Sequence, residues 1–190
     1  EAMNIQSDGF KDLDGGGDTG FDKNDVMLKL RYDLDGKAFN QVFELKLAYS
    51  DELSDETYLG LTDADFAVNP NRRYRASQLA EMDWEHTQIQ LNHFIQGKEF
   101  DVTTRIYRND FERDWFKANS FKGGLVDISF QELLADPFRN ESTTRFYQIL
   151  TGEADSVQEF EKLLVGNNGR EYYSQGIQSD LRFNYDLGGF

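Results

Sequence analysis

Apolar and polar residues alternate with period two over several stretches of the chain, the pattern of β-strands whose two faces differ chemically. In Asp25–Leu34, Val26, Leu28, Leu30, Tyr32 and Leu34 share one face, while Lys29, Arg31 and Asp33 share the other. Phe39–Ser50 repeats this, with Phe43, Leu45, Leu47 and Tyr49 set against Glu44, Lys46, Ala48 and Ser50. Thr87, Ile89 and Leu91 oppose His86, Gln88, Gln90 and Asn92, and Phe100, Val102, Thr104 and Ile106 oppose Asp101, Thr103 and Arg105. Tyr173, Ile177, Leu181, Phe183 and Tyr185 oppose Gln178, Asp180, Arg182 and Asn184, and Met3 and Ile5 share a face of Ala2–Ser7. The pattern predicts about six strands, most of roughly 10–12 residues, against about 5–6 in ordinary soluble sheets.

The connections are unequal in an ordered way. Asp35–Lys37 and Gln96–Lys98, each containing a glycine, predict tight hairpins. Asp8–Asn24, Asp51–Met82 and the stretch from Phe111 to Tyr172 predict long connections. Short and long alternate, so all tight turns fall at one end of the sheet. Loops of that length are rare in compact domains unless they carry function, and the asymmetry is that of an outer-membrane barrel. Local helix is expected inside the loops. Thr62-Asp63-Ala64-Asp65 is close to a capping box and predicts one short helical turn before Pro70. Asp127 is expected to cap Ile128–Ala135, and Phe146, Ile149 and Leu150 suggest a further turn or two. Asp155 or Ser156 is expected to start a helix over Val157–Val165, ending at Gly166-Asn167-Asn168-Gly169.

Composition changes the picture in two places. Lys plus Arg is 20 against 35 for Asp plus Glu, a net charge of -15, which argues against a nucleic-acid partner because phosphate binding needs a basic surface. The absence of cysteine excludes a disulfide scaffold, a thiolate metal site and a Cys nucleophile. Mean hydropathy is -0.68 and no apolar run approaches a spanning helix, yet aromatics reach 14%. On the apolar face they cluster near strand ends: Tyr32, Phe100, Phe183 and Tyr185 by the short turns, Tyr49 and Tyr173 by the long loops. Amphipathic rings favour the headgroup level, so membrane barrels carry such girdles. Trp84 and Phe94 fall on the polar parity and His93 on the apolar one, all expected near strand ends where the pleat loosens. The expectation is therefore an all-β chain, an antiparallel transmembrane β-barrel segment with long extracellular loops carrying short helices. Its mixed-sign face would line a hydrated lumen. A secreted soluble all-β binding module, using the Asp12–Asp18 loop for calcium, is the alternative, and a passive porin-like channel a third.

The second long loop carries a resemblance. Glu56-Thr57-Tyr58-Leu59-Gly60-Leu61-Thr62-Asp63-Ala64-Asp65-Phe66, Asn69-Pro70-Asn71-Arg72-Arg73-Tyr74 and Ala76-Ser77-Gln78, continued by Met82-Asp83-Trp84-Glu85-His86-Thr87-Gln88, resemble TonB-dependent outer-membrane receptors of the ferric-siderophore and ferric-citrate branch. Ser7–Phe10 and Arg170–Ser179 look like the same family's barrel, and Phe121–Gly166 is the least characteristic region. The resemblance implies a bacterial outer-membrane location, contact with outer-membrane lipid and active import of a ferric chelate. It also implies an N-terminal plug inside a barrel of about 22 strands and an energy-coupling box that engages the TonB complex. Neither plug nor box is found in residues 1–190, and about six strands are fewer than the eight of the smallest barrels. A piece from the first half of such a barrel is expected, with Phe190 after Gly188-Gly189 only mimicking a terminal barrel aromatic.

The candidate ligand contacts are Arg72, Arg73, Tyr74, Arg75 and Gln78. The three arginines form the densest basic cluster of an acidic chain, and guanidinium forks match the carboxylates of anionic chelates. Tyr74 and Gln78 would add stacking and hydrogen bonds. The competing reading has the arginines pairing with Asp63 and Asp65 to hold the loop. Asp12-Leu13-Asp14-Gly15-Gly16-Gly17-Asp18 resembles part of a calcium loop, but Gly16 takes the third ligand position and Lys23 the terminal one. His86 and His93 are an odd number of residues apart, hence on opposite faces. Neither a metal site nor a cofactor is expected. With no G-x-S-x-G, P-loop or HExxH motif, an enzyme is not expected either.

Overall fold

A computed structural model describes residues 1–55, 57–123 and 129–184. In chain order the elements are β1 (Ala2–Ser7), β2 (Asp12–Leu13), β3 (Phe21–Leu34), β4 (Phe39–Ser54), α1 (Asp63–Val68), β5 (Arg72–Arg73) and β6 (Glu81–Gly97). They continue with β7 (Phe100–Phe121), α2 (Phe130–Ala135), α3 (Glu141–Thr151), β8 (Leu163–Asn167) and β9 (Arg170–Phe183). The large sheet has the order β1-β3-β4-β6-β7, and both β8 and β9 pair with β7. All of these pairings are antiparallel. The chain is all-β in its architecture, with short helices confined to the loops. β2 and β5 form a separate small parallel ladder within the loop end.

The register fixes the two faces. Leu30, Leu45, Leu91, Ile106 and Ile177 lie in one cross-strand row, and Leu28, Leu47 and Ile89 in the next, which continues into Arg108 and Gln175. Lys29, Lys46, Gln90 and Tyr107 lie between them on the opposite face. In a soluble sheet the apolar face is covered. Here it is the open one: Leu30 is 53%, Ile89 50% and Ile177 72% exposed. Ala48, His86, Gln88 and Gln90 on the polar face are only half-exposed. The accessible surface is 13011 Å², against roughly 9,300 Å² for a compact monomer of this mass.

The strands run further into the loop end than the pattern predicts. β7 continues to Phe121 instead of breaking near Phe111, β4 reaches Ser54, and β3 starts at Phe21. The cause is a reversal of polarity, not a break in pairing. Asn109–Trp115 still alternates, but Phe111, Arg113 and Trp115 now share the polar face, while Asp110, Glu112 and Asp114 share the apolar one. Met3 and Ile5 likewise sit opposite Asp25 and Lys23, on the polar face. Trp84, His93 and Phe94 do not mark a loosened pleat, because β6 pairs β7 without interruption from Glu81 to Gln96. His93 instead stacks on Phe43 at 4.2 Å, with Nε2 2.9 Å from Gln41 Oε1.

The buried apolar core lies in the loops. Leu133 of α2, Phe146, Tyr147, Ile149 and Leu150 of α3, Leu59, Tyr74 and Ala76 pack around Phe121 at the end of β7. Fully burying a Leu such as Leu150, which is 0% exposed, stabilises by about 1.5–3 kcal/mol. α3 has more than the expected turn or two. The Asn140 side chain accepts from Thr143 N–H in a capping box at its start, and Gly152 ends it in the left-handed region at φ 82°. The proposed Asp127 cap lies outside the described residues. Ser129, in a capping box with Glu132, caps α2.

The helix expected over Val157–Val165 is absent. Glu159–Glu161 makes one 3₁₀ turn, and Leu163–Asn167 becomes β8 on the upper part of β7. Buried Glu161 fixes this turn, accepting the N–H groups of Val157 at 2.6 Å and Gln158 at 2.9 Å. The open ladder of an overlong β7 thus overrides a weak helical spacing. α1 forms as expected, Thr62 Oγ1 accepting from Asp65 N–H at 3.1 Å.

Candidate functional site

Asp65 is the meeting point of the loops. Its Oδ2 accepts hydroxyl bonds from Thr62 at 2.8 Å, from Tyr74 at 2.6 Å and from Tyr147. Its Oδ1 pairs with Arg72 at 2.7 Å. Arg72 reaches on to Asp14, with Nε 3.0 Å from Oδ1 and Nη2 3.0 Å from Oδ2. One carboxylate therefore joins the first loop, the second loop and α3. Burial works to raise the Asp65 pKa, but bonds from Tyr147, Tyr74 and Thr62, followed by the Arg72 charge, leave it below the usual value. The Asp14 hydrogen bond raises that of Arg72, against burial. Burial and then Asp65 raise both tyrosines.

This arrangement separates the sequence-predicted site residues. Arg72 is saturated, and its partners are Asp65 and Asp14. Tyr74 is 0% exposed, with its ring edge-on to Tyr147 at 5.8 Å; it holds the loop and presents no face to a ligand. Arg73 spends its guanidinium on neutral oxygens: the Pro70 carbonyl at 3.0 Å, the Arg72 carbonyl at 2.5 Å and Thr57 Oγ1 at 3.3 Å. Arg75 and Gln78 are exposed. Neither Arg73 nor Arg75 has an acidic partner among the described residues. Arg75 lies over Gly152, where a Cβ would come within 2.5 Å of its Cδ. The structure thus leaves Arg75 and Gln78 exposed and Arg73 half-buried, with Arg72 and Tyr74 holding the loop.

The Asp12–Asp18 carboxylates are turned on protein donors. Asp12 accepts from Asn69 at 3.0 Å, Asp14 from Arg72, and Asp18 from the N–H groups of Thr19 and Gly20. Among the described residues no group of three His, Asp or Glu side chains converges in metal-ligand geometry.

A second constellation escaped the sequence reading. On the polar face, just below the loops, Trp84, Arg113 and Arg170 form one cross-strand row and His86, Phe111 and Tyr172 the next. Trp84 and Phe111 stack at 5.8 Å, and Phe111 meets Tyr172 at 6.2 Å. Trp115 follows Arg113 on the same face, the guanidinium lying 5.4 Å from its ring, and Lys117 sits 4.1 Å from the same ring and 3.9 Å from that of Tyr58. The available signal was Trp84 on the wrong parity, and a phase reversal was its meaning. No family model, no curated protein and no solved structure matches the chain.

Proposed function

We propose that this chain forms part of the wall and loops of an outer-membrane β-barrel receptor of the TonB-dependent type, which binds and imports a ferric chelate. The observation that carries the membrane reading is the open apolar face. From Phe183 to Tyr173 it spans about 33 Å of strand at roughly 3.3 Å per residue, or about 25 Å at the usual barrel tilt of about 40°, the height of a barrel's apolar band; Arg108, the charge inside this span on β7, is paired with Asp110 at its loop end at 2.6 Å. Phe39, Phe100 and Phe183 bound it at the short-turn end, and Tyr49 and Tyr173 at the loop end. Immediately above, the same face turns to Asp51, Glu85, Glu112 and Glu171, as fits a surface leaving hydrocarbon for water. Lys29, Arg31 and Glu44 on the other face suit a hydrated lumen, since each charge would cost several kcal/mol against lipid.

The receptor class rests on the resemblance of the second loop, whose motif builds the Asp65 junction. In this reading the junction holds the extracellular loops in a fixed shape, and Arg73, Arg75 and Gln78 offer hydrogen-bond donors to an anionic chelate. Transport would need the plug and the TonB complex, which the family supplies.

Expression of the full-length protein with its export signal tests the membrane reading: folded material should fractionate with outer membranes and need detergent. A soluble, cooperatively folded monomer would overturn it. Growth on a ferric chelate as sole iron source tests the receptor class. Arg73→Ala with Arg75→Ala should weaken chelate binding in a protein that still folds; unchanged affinity removes these residues from the site.

A further inference from the structure

Among the described residues, two buried donors on the polar face lack acceptors: Arg113 Nε and Trp115 Nε1. Buried N–H groups are nearly always satisfied, so an orphaned pair on one face calls for a specific account. Arg113 also stands directly opposite Arg170 in the register, and like charges placed so destabilise a sheet. Neither arginine belongs to an ion pair among the described residues. The chain has 35 acidic residues, and Glu112, Asp114 and Glu171 adjoin these arginines in sequence. All three point to the opposite face. In their own row the only carboxylate is Glu52, with Trp84 between it and Arg113.

We propose that Arg113, Arg170 and Trp115 form a binding station for an oxyanion carried on an aromatic ring, such as an aryl carboxylate. The anion would accept from the terminal N–H groups of the facing guanidiniums, which match a carboxylate as a fork, and so neutralise them, while the closed Arg113 Nε and Trp115 Nε1 stay beneath it. The Trp84–Phe111–Tyr172 rings give the attached ring a wall to stack on. Arg170 is already oriented for this, its Nη1 bonded to Tyr172 Oη at 2.9 Å and its Nε to Asn168 Oδ1 at 2.9 Å. As a statement about the imported chelate, one with aromatic oxyanion groups, the assignment rests on the receptor reading; as a statement about binding it does not.

Titration calorimetry on the full-length protein in detergent, with three small probes, tests it. Salicylate should bind, acetate (no ring) and benzyl alcohol (no charge) at least tenfold more weakly. Arg113→Gln should weaken salicylate at least tenfold, and Phe111→Leu several-fold. Without ligand, Arg113→Gln and Arg170→Gln should each leave the melting midpoint unchanged or slightly raised, because each removes the repulsion, and the midpoint of every variant, Phe111→Leu included, shows whether it folds. No salicylate binding by the wild type, equal binding by a folded Arg113→Gln protein, or acetate binding as tightly as salicylate would overturn the assignment. Membrane fractionation is a separate measurement, so failure here leaves the barrel reading standing.

Discussion

In the loop cap, Tyr74, Leu133, Thr143 and Leu150 are sealed from solvent, and α1, α2 and α3 are each capped by a side chain. In β1, β3, β6 and β9 no residue is buried at all, although these strands carry a dense array of Leu, Ile and Tyr. The two regions share one chain, but only the cap buries its apolar groups. The cap buries its apolar groups against itself, as any protein in water must. The sheet leaves its apolar side chains uncovered, and in the proposed barrel, closed by further strands, they would face lipid.

The contrast is broken or sharpened most strongly by single substitutions in each region. Leu150→Ala should cost the cap about 2–5 kcal/mol, the transfer free energy plus the cavity left behind. Leu91→Arg, at the middle of the open face, should cost about 2–4 kcal/mol in a bilayer, because the charge then meets lipid. Gln90→Arg, one residue away on the polar face, should cost far less. Urea unfolding of the lipid-reconstituted protein measures all three. Equal costs at positions 90 and 91 would mean that lipid does not distinguish the faces.

Next in size is Asp65→Ala, which removes four bonds from one junction. Hydrogen bonds to charged groups are worth about 1.5–3 kcal/mol each, but they share an acceptor and do not add, so about 3 kcal/mol is expected. Arg72 keeps Asp14, which limits the loss. Limited proteolysis should show faster cleavage within the loops and no change in the strands.

Sheet existence, register parity and hairpin positions were legible because period two survives in any environment. Residues 25–34 and 39–50 were read with the correct faces for that reason. What failed was the use of polarity to find strand ends. Above Asp110 the apolar side chains cross to the other face, so a rule that follows one apolar parity stops where the surroundings change, while the backbone ladder continues. The arginine cluster was legible as a feature and not as geometry. Arg72 and Arg73 are adjacent, yet one is fixed by Asp14 and Asp65 and the other has no acidic partner among the described residues. Asp14 lies far away in sequence, and no local pattern encodes that contact. Glu161 is similar: its burial depends on Arg145, and helical spacing over Val157–Val165 carried no trace of it.

Acid should separate the regions by charge. The Glu161 carboxyl is held down to about 2 from 4.5, first by the bond from Arg145 and then by the Gln158 and Val157 amides. Asp65 is lowered in the same direction. A group depressed on folding contributes stability that is complete above its unfolded pKa and is lost as pH falls through the folded one. The cap should therefore loosen as pH drops from about 4.5 towards 2, seen as faster amide exchange in α3 and around Val157–Gln158. Glu161→Gln should flatten that dependence. Exchange that is constant across this window in the wild type would show that neither carboxylate holds the cap.

The smallest effect isolates local helix chemistry. Asn140 Oδ1 accepts from Thr143 N–H at 2.9 Å, and the Asn140 N–H is held in return by Thr143 Oγ1 at 3.1 Å. Asn140→Ala removes the first of these and should cost about 1 kcal/mol, within the usual 0.5–2 for a helix cap. Asn92 makes more side-chain bonds, its Oδ1 accepting from Arg105 at 3.0 Å and Gln90 at 3.1 Å, but it does so on the polar face of the sheet. Asn92→Ala should stay within about 0.5 kcal/mol, because neighbouring polar groups and water replace what it gave. Two hydrogen-bonded asparagines then differ by whether a helix end depends on them, and equal costs would mean that the cap is no more tightly held than the wall beneath it.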